Sequence, residues 1–580
     1  MGRIVAGGAS HLESGTRCRH NGLSDFPQHV HSAFTMNPSK PLVAALAVLI
    51  LAGCSSLPGA GPERDKTYRI TILHTNDHHG RFWKNGDGEY GMAARKTLID
   101  EIRAEVREAG GQTLLLDGGD VNTGVPESDL QDAVPDFRGM NLIGYDAMAV
   151  GNHEFDKPLN ILRMQRDLAR FPMLSANIYD SGKRMFDPYK VFNLGGLRVG
   201  VMGMTTEDTR KMVSPDNIKN IEFRSVIAEA AKVVPELRGK ADVVIATTHM
   251  GHYQNGDSGT QSPGDVEMAR AVKGIDVVVG GHTQNPACMK AENVIDRDYV
   301  PGAPCQPDYQ NGTWIVQAHE WGKYVGRADF AYRNGVFTLL KYTLVPVNLK
   351  RSVRAADGKT SMVLYTPEIV ENKEMLDLLK PYQDFGQEKL NVEIGSTDGR
   401  LEGDRAVVRA RPASLAILIG RALMDKTKAD FAVVNAGGVR DSLAAGKLTY
   451  KDVLKVQPFG NTTVTVDLTG TEVMAYLNAA AKMSVGSGAF PQFAGVNLVI
   501  TGGAVTSATI KGAPVDPART YRMVINNFVA AGGDGYPRLT GHKSFVDTGF
   551  VDADLLRAFI ANNSPLKAAD YAPGDAVVRR

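Results

Sequence analysis

The sequence predicts an α/β fold in two parts joined by a helical connector. Three observations carry this. Short apolar runs, each closed by Gly, Asn, Asp or His, recur through residues 68–282. Amphipathic stretches such as ARKTLIDEIRAEVREAG (94–110) lie between them, with charges on one face and apolar residues on the other. A helix start at Thr366-Pro367-Glu368 then marks a change of pattern.

The N-terminus reads as an address. Residues 41–53, PLVAALAVLILAG, are too short to span a bilayer but fit the apolar core of a signal peptide. They lead into Leu51-Ala52-Gly53-Cys54, which resembles a bacterial lipobox, with Cys54 as the lipid acceptor and Lys40 as the preceding positive charge. Lys40 fills that role if translation begins at Met36; Met1 and Met36 are both open as the start. Residues 1–53 are read as removed, and 54–67 as a flexible tether rich in Ser, Gly and Pro.

The first domain is assigned to 68–365. Its expected strands are YRITILHT (68–75), TLLLDGGD (113–120), DAMAVGNH (146–153), LRVGVMGM (197–204), ADVVIATTH (241–249) and IDVVVGGH (275–282). Alternation with helices implies a largely central, buried sheet. Residues 366–390 are read as the connector, a helix from Thr366 to about Lys380 that Pro381 interrupts. The second domain, 391–580, mixes helices with strands such as DFAVVNAG (430–437), TVTVDLT (463–469) and TYRMVINN (520–527). No internal repeat is visible.

A formal net charge of +1 over 580 residues gives no global field for a nucleic acid polymer or an anionic membrane. Affinity for phosphate must therefore come from a local site. Of the four cysteines, Cys288 and Cys305 lie in one loop-rich stretch, and an oxidising compartment would pair them. Such a loop contributes roughly 3 kcal/mol on the chain-entropy model. Two free thiols are the other reading.

The polar residues after the strands point to chemistry. Asp77 and His79 follow the first run, Asp120 ends the second, and Asn152 and His153 follow the third; His249, then His282 and Gln284, follow later ones. Sites in α/β sheets form beyond the carboxyl ends of strands. Any one of these residues alone would be an ordinary turn or structural residue. Together they make the mixed N/O set that two divalent ions need, with Asp120 as the natural bridge.

The motif DxH…GGD…GNHEFD…H…GGHxQ resembles that of the calcineurin-like metallophosphoesterases. GVPESDLQDA, THMGHY, QAHEWGKYVGRADF and KVQPFGN extend the likeness, over nearly the whole chain from Tyr68, to the bacterial periplasmic UDP-sugar hydrolase and 5'-nucleotidase family. The resemblance implies a layered α/β/β/α metallophosphoesterase domain and a C-terminal α+β nucleotide-specificity domain. It implies that Asp77, His79, Asp120 and Gln284 hold one metal, and that Asp120, Asn152, His249 and His282 hold the other. His153, oriented by Asp156, would meet the substrate phosphate. His78 and His252 have no implied ligand role. Arg405, Arg409 and Arg440 would clamp an anion. Phe459 and Phe528 would sandwich the base, with Asp534 on the ribose and Asn461 near the base. Ala436 in NAGGVR stands where relatives commonly carry glycine.

The expected protein is thus an exported, monomeric, lipid-anchored hydrolase of nucleotides and nucleotide-sugars on the periplasmic side of a bacterial membrane. Zn, Mn or Co are its expected ions. Three rivals share parts of this reading: a 2',3'-cyclic-nucleotide phosphodiesterase, a thiosulfohydrolase-like enzyme, and a catalytically silent nucleotide-binding lipoprotein.

Overall fold

The computed structural model describes residues 61–580, apart from 214, 254–261, 355–359 and 575. The leader, Cys54 and the first half of the tether, to residue 60, lie outside the described residues. No described helix is long and apolar enough to cross a membrane.

The first domain holds two six-stranded sheets, as the layered α/β/β/α expectation requires, where the alternation of elements alone suggested one. The first sheet runs in the order Val336–Pro346, Tyr324–Arg333, Tyr68–Thr75, Gln112–Asp117, Ala147–Ala149, Met173–Leu174. Its last four strands are parallel, with Ile70 opposite Gln112 and Leu116 opposite Ala147. The second sheet runs Asp308–Gln310, Thr313–Val316, Val277–Val279, Val243–His249, Leu197–Thr205, Tyr189–Leu194, parallel except at its two edges.

The central strands of both sheets are buried, so they read as nearly continuous apolar runs. The helix Met92–Glu108 contributes Leu98, Ile99, Ile102 and Val106 to the core around the first sheet. Val226–Arg238, capped by the Ser225 side chain, contributes Val233, Val234 and Leu237 to a core on the second. The sheets are stitched where they meet. The Thr247 hydroxyl donates to the Asp117 carbonyl at 2.8 Å, and Thr205 donates to Val150 at 2.6 Å. Gly203 permits this approach, because a Cβ there would stand 2.2 Å from the Leu174 carbonyl oxygen. The parallel strands of both sheets consequently deliver their carboxyl ends to one crevice.

The connector differs from its sequence reading. Thr366, Pro367 and Glu368 are not helical. Asn348 ties down the chain just after them, its side chain accepting from the Ile369 N–H at 2.8 Å and donating to the Ile369 C=O at 2.9 Å. The helix starts later, over Lys373–Leu390, where the Asn372 side chain accepts from the Met375 N–H. Pro381 lies inside this helix and does not end it. An internal proline costs about 3 kcal/mol; burial of Met375, Leu379 and Leu390 offsets it.

The second domain is built on the sheet Pro491–Ala494, Phe431–Asn435, Thr520–Asn526, Thr462–Thr469, Val546–Val551. One core gathers Ser414–Thr427 residues with Ala432 and Val434. Another gathers Gly470–Ala481 residues with Phe431 and Val433. Alternate side chains of one strand thus serve opposite faces. Thr469 and Glu472 close a reciprocal cap on the second helix.

Candidate metal centre and substrate cleft

The strand Tyr68–Thr75 ends one residue before Asn76-Asp77-His78-His79. Gln112–Asp117 leads to Asp120, and Ala147–Ala149 leads to Asn152 and His153. His249 closes its own strand, and His282 and Gln284 follow Val277–Val279. Asp77, His79, Asp120, His282 and Gln284 all have positive φ, between 50° and 78°. L-residues avoid this region, and strain of this kind persists only where surrounding bonds over-determine it.

Those bonds are present. The Asn76 amide donates to Asp77 Oδ2 at 2.7 Å and to the His319 carbonyl, while its oxygen accepts from the Ala318 N–H. The Trp321 N–H donates to the Asp77 carbonyl at 2.7 Å. Glu154, buried at 1% exposure, accepts from the backbone N–H of Gly151, Asp120, Val121 and Asn122 at 2.6–3.2 Å. One carboxylate therefore ties the Asp120 loop to the Asn152 loop. Neither Asn76 nor Glu154 was singled out from the sequence. Their work is on backbone amides, and the only signal for it is their place inside the NDHHG and GNHEFD motifs.

Asp120 is the common member of two groups whose ligand atoms lie within 4.8 Å of one another: His79, Asp120 and His153, and Asp120, His249 and His282. Asp120 Oδ2 is 2.9 Å from His249 Nε2, 3.9 Å from His79 Nε2 and 4.0 Å from His153 Nε2. Gln284 Nε2 is 2.6 Å from His79 Nε2, and His282 Nδ1 is 3.2 Å from His249 Nε2. The outer nitrogens of two rings face backbone oxygens: His249 Nδ1 to Gly118 at 2.7 Å, His79 Nδ1 to Thr123 at 2.8 Å. Donation to those oxygens leaves each Nε2 lone pair directed at the cluster, as metal-ligating histidines require.

These residues fit divalent ions. Asp77 Oδ1 and Asn152 Oδ1 are buried and accept no hydrogen bond among the described residues. A buried oxygen without a donor is costly, and a cation would satisfy it. The electrostatics agree. Burial works against a charged His249, yet the Asp120 carboxylate outweighs it and pushes the ring up to about 10. The cluster draws a positive charge.

His153 differs from its neighbours. Its Nδ1 is 2.5 Å from Asp156 Oδ2, and its backbone N–H donates to Asp120 Oδ1 at 2.9 Å. Burial opposes its charged form, but Asp156 and Asp120 push it up to about 9. His78 and His252, which had no implied role, are each bonded to a buried carboxylate: Asp136 at 2.9 Å and Asp308 at 2.8 Å.

The second domain reaches into this cleft. The Phe459 ring lies 5.8 Å from the His153 ring and nearly parallel to it, at 12°. Arg440 stands 5.4 Å from the centre of Phe459, and Arg405 donates to Gln284 Oε1 at 2.5 Å. Arg405, Arg409 and Arg440 have no ion-pair partner among the described residues. Burial, then mutual repulsion, holds Arg409 down at about 9 and Arg440 at about 10. Asp534 has φ 56° and is fixed by the Asn435 amide at 2.8 Å. Gly533 beside it is pressed by the Phe528 ring, 2.5 Å from where a Cβ would be. The Asn461 side chain bonds Asp552, and its carbonyl accepts from the Asp552 N–H. Ala436 is fully buried. Cys288 and Cys305 are joined as a disulfide, with Cα atoms 4.9 Å apart.

Comparison with known proteins gives the family. Residues 70–286 match the calcineurin-like phosphoesterases, and residues 393–541 match the 5'-nucleotidase C-terminal domain. Protein UshA of Escherichia coli is 57% identical over 535 residues, 91% of this chain and 97% of that protein. A 5'-nucleotidase of Vibrio cholerae is 54% identical over 547 residues, 93% and 99% of the two chains. The crystal structure of a 5'-nucleotidase precursor from Thermus thermophilus superposes with a TM-score of 0.70 at 30% identity, covering 88% of this chain and 99% of that one. The chain therefore belongs to the 5'-nucleotidase family of calcineurin-like phosphoesterases, which are metal-dependent phosphoester hydrolases.

Proposed function

We propose that this chain hydrolyses 5'-nucleotides and splits the pyrophosphate of UDP-sugars, with Zn, Mn or Co as its two ions. Asp77, His79, Asp120 and Gln284 would hold one ion, and Asp120, Asn152, His249 and His282 the other. Bound there, the ions would supply Lewis acidity and an acidified water for in-line attack on phosphorus. His153, kept cationic by Asp156, would donate to a phosphoryl oxygen as charge builds there. Arg405, Arg409 and Arg440 would neutralise the anion, and Phe459 and Phe528 would stack on the base. Asp534 would accept from ribose hydroxyls, and Asn461 would stand near the base through its loop.

The observation that carries this reading is the placement of Phe459 on His153. A residue suited to a base and a residue suited to a phosphate come from different domains and meet face to face. One nucleotide is the right size and chemistry to touch both sets.

The test is a substrate panel on metal-stripped protein reloaded with Zn, Mn, Co or Mg. AMP and UDP-glucose should be hydrolysed only after reloading. Preference for a 2',3'-cyclic nucleotide or a sulfur ester would replace the assignment, and turnover without metal would refute it.

We also place the protein on the periplasmic side of a bacterial outer membrane as a monomer, anchored through Cys54, where it would scavenge nucleotides. Ser55, rather than an Asp, follows the cysteine and favours outer-membrane sorting. Cys54→Ala should release the protein from the membrane fraction. Unchanged membrane association would refute the anchor.

A further inference from the structure

The motif GVPESDLQDA contributes no residue to the cleft described above. It forms the short helix Pro126–Asp129, where three parts of the molecule meet. Glu127 is 1% exposed. Its Oε1 accepts from the Gln387 amide, on the connector helix, at 2.6 Å. The same oxygen pairs with the Lys451 ammonium, in the second-domain helix Tyr450–Val456. The two side chains are 2% and 19% exposed. Gly386 lets the connector approach, since a Cβ there would stand 2.6 Å from Glu127 Cγ.

Each end of this contact leads to the cleft. On the second-domain side, the helix holding Lys451 ends at Val456, whose carbonyl accepts from the Arg440 N–H at 3.0 Å. The chain then turns through Gln457 and Pro458 to Phe459. On the first-domain side, the Ser128 hydroxyl donates to Asp136 Oδ2 at 2.5 Å, and Asp136 Oδ1 meets His78 Nε2 at 2.9 Å. His78 stands between Asp77 and His79. Gly80 packs against Ser128 directly.

We propose that Glu127 and Lys451 are positioning residues, whose ion pair sets Phe459 and Arg440 over the metal loop. The pair is largely desolvated, so removing the lysine leaves a buried carboxylate uncompensated and favours separation of the two surfaces. This rests on the reading that one nucleotide spans both domains.

The experiment compares the full, metal-loaded chain with Lys451→Met and Lys451→Arg. Lys451→Met keeps the apolar stem and removes the charge. It should raise KM for AMP about tenfold, while kcat/KM for p-nitrophenyl phosphate and the bound metal stay within about twofold. Lys451→Arg should restore the AMP value. Small-angle scattering without substrate should show a larger radius of gyration for Lys451→Met than for wild type. Equal losses on both substrates, an unchanged KM for AMP, or superimposable scattering curves would each overturn the proposal. A Lys451→Met chain that does not fold would do so too if Lys451→Arg is folded but fails to keep the wild-type scattering curve. If wild type ignores AMP yet the scattering changes, the nucleotide reading fails and the docking role stands.

Discussion

The metal cluster and the substrate face are built by opposite means. The cluster is stiff. Its residues stand at strand ends, five on left-handed backbone, and Asn76 and Glu154 spend all or most of their hydrogen bonds holding those loops. The substrate face is less secured. Arg405, Arg409 and Arg440 lack ion-pair partners among the described residues, and Phe459 finds its ring partner across the domain boundary. Stiffness suits ligands that must stay within a few tenths of an ångström of one geometry. Unpaired arginines suit a site completed by an anion. On the proposed function, the chemistry would be prebuilt in one domain, while recognition would depend on how the other is docked.

The largest effect should come from the residue both groups share. Asp120→Ala should lower turnover of AMP and of p-nitrophenyl phosphate alike, by a factor of about a thousand, and should reduce bound metal. Full activity with two metals retained would break the bridging assignment. His153→Ala sharpens the boundary between ligand and phosphate contact. It should lower kcat about a hundredfold or more with metal content unchanged, because its proposed work is on the phosphate and not on the ions. Metal lost in step with activity would make it a ligand.

Cys288 and Cys305 belong to neither the proposed ligand set nor the proposed substrate contacts. Cys288→Ser with Cys305→Ser should lower stability by roughly 3 kcal/mol, read as a fall in Tm, with kinetics at 25 °C unchanged. Altered metal content in that variant would show that the loop after His282 depends on the disulfide for its shape.

Much of this comparison was legible in the sequence, and the exceptions share a cause. The strand at 68–75 stands where the apolar run puts it, because burial on both faces demands a continuous apolar stretch. The run at 146–153 yields a strand only over Ala147–Ala149, because its tail leaves the ladder to present Asn152 and His153. The Thr366 helix start failed because a distant residue, Asn348, claims the backbone of Ile369. The alternation of strands and helices does not say how many sheets they form. Glu154 and the Glu127–Lys451 pair act through backbone amides or over hundreds of residues, and no local pattern encodes either.

The central claim is that chemistry and recognition are separable and meet at Phe459 and His153. The most direct measurement is kcat/KM of Phe459→Ala and Phe528→Ala, singly and together, on AMP and on p-nitrophenyl phosphate with metals loaded. The account predicts that each substitution costs about 1–3 kcal/mol on AMP, expressed chiefly in KM, while the small ester is turned over nearly as before. Equal losses on the two substrates would mean that the rings support the fold alone, and would contradict it.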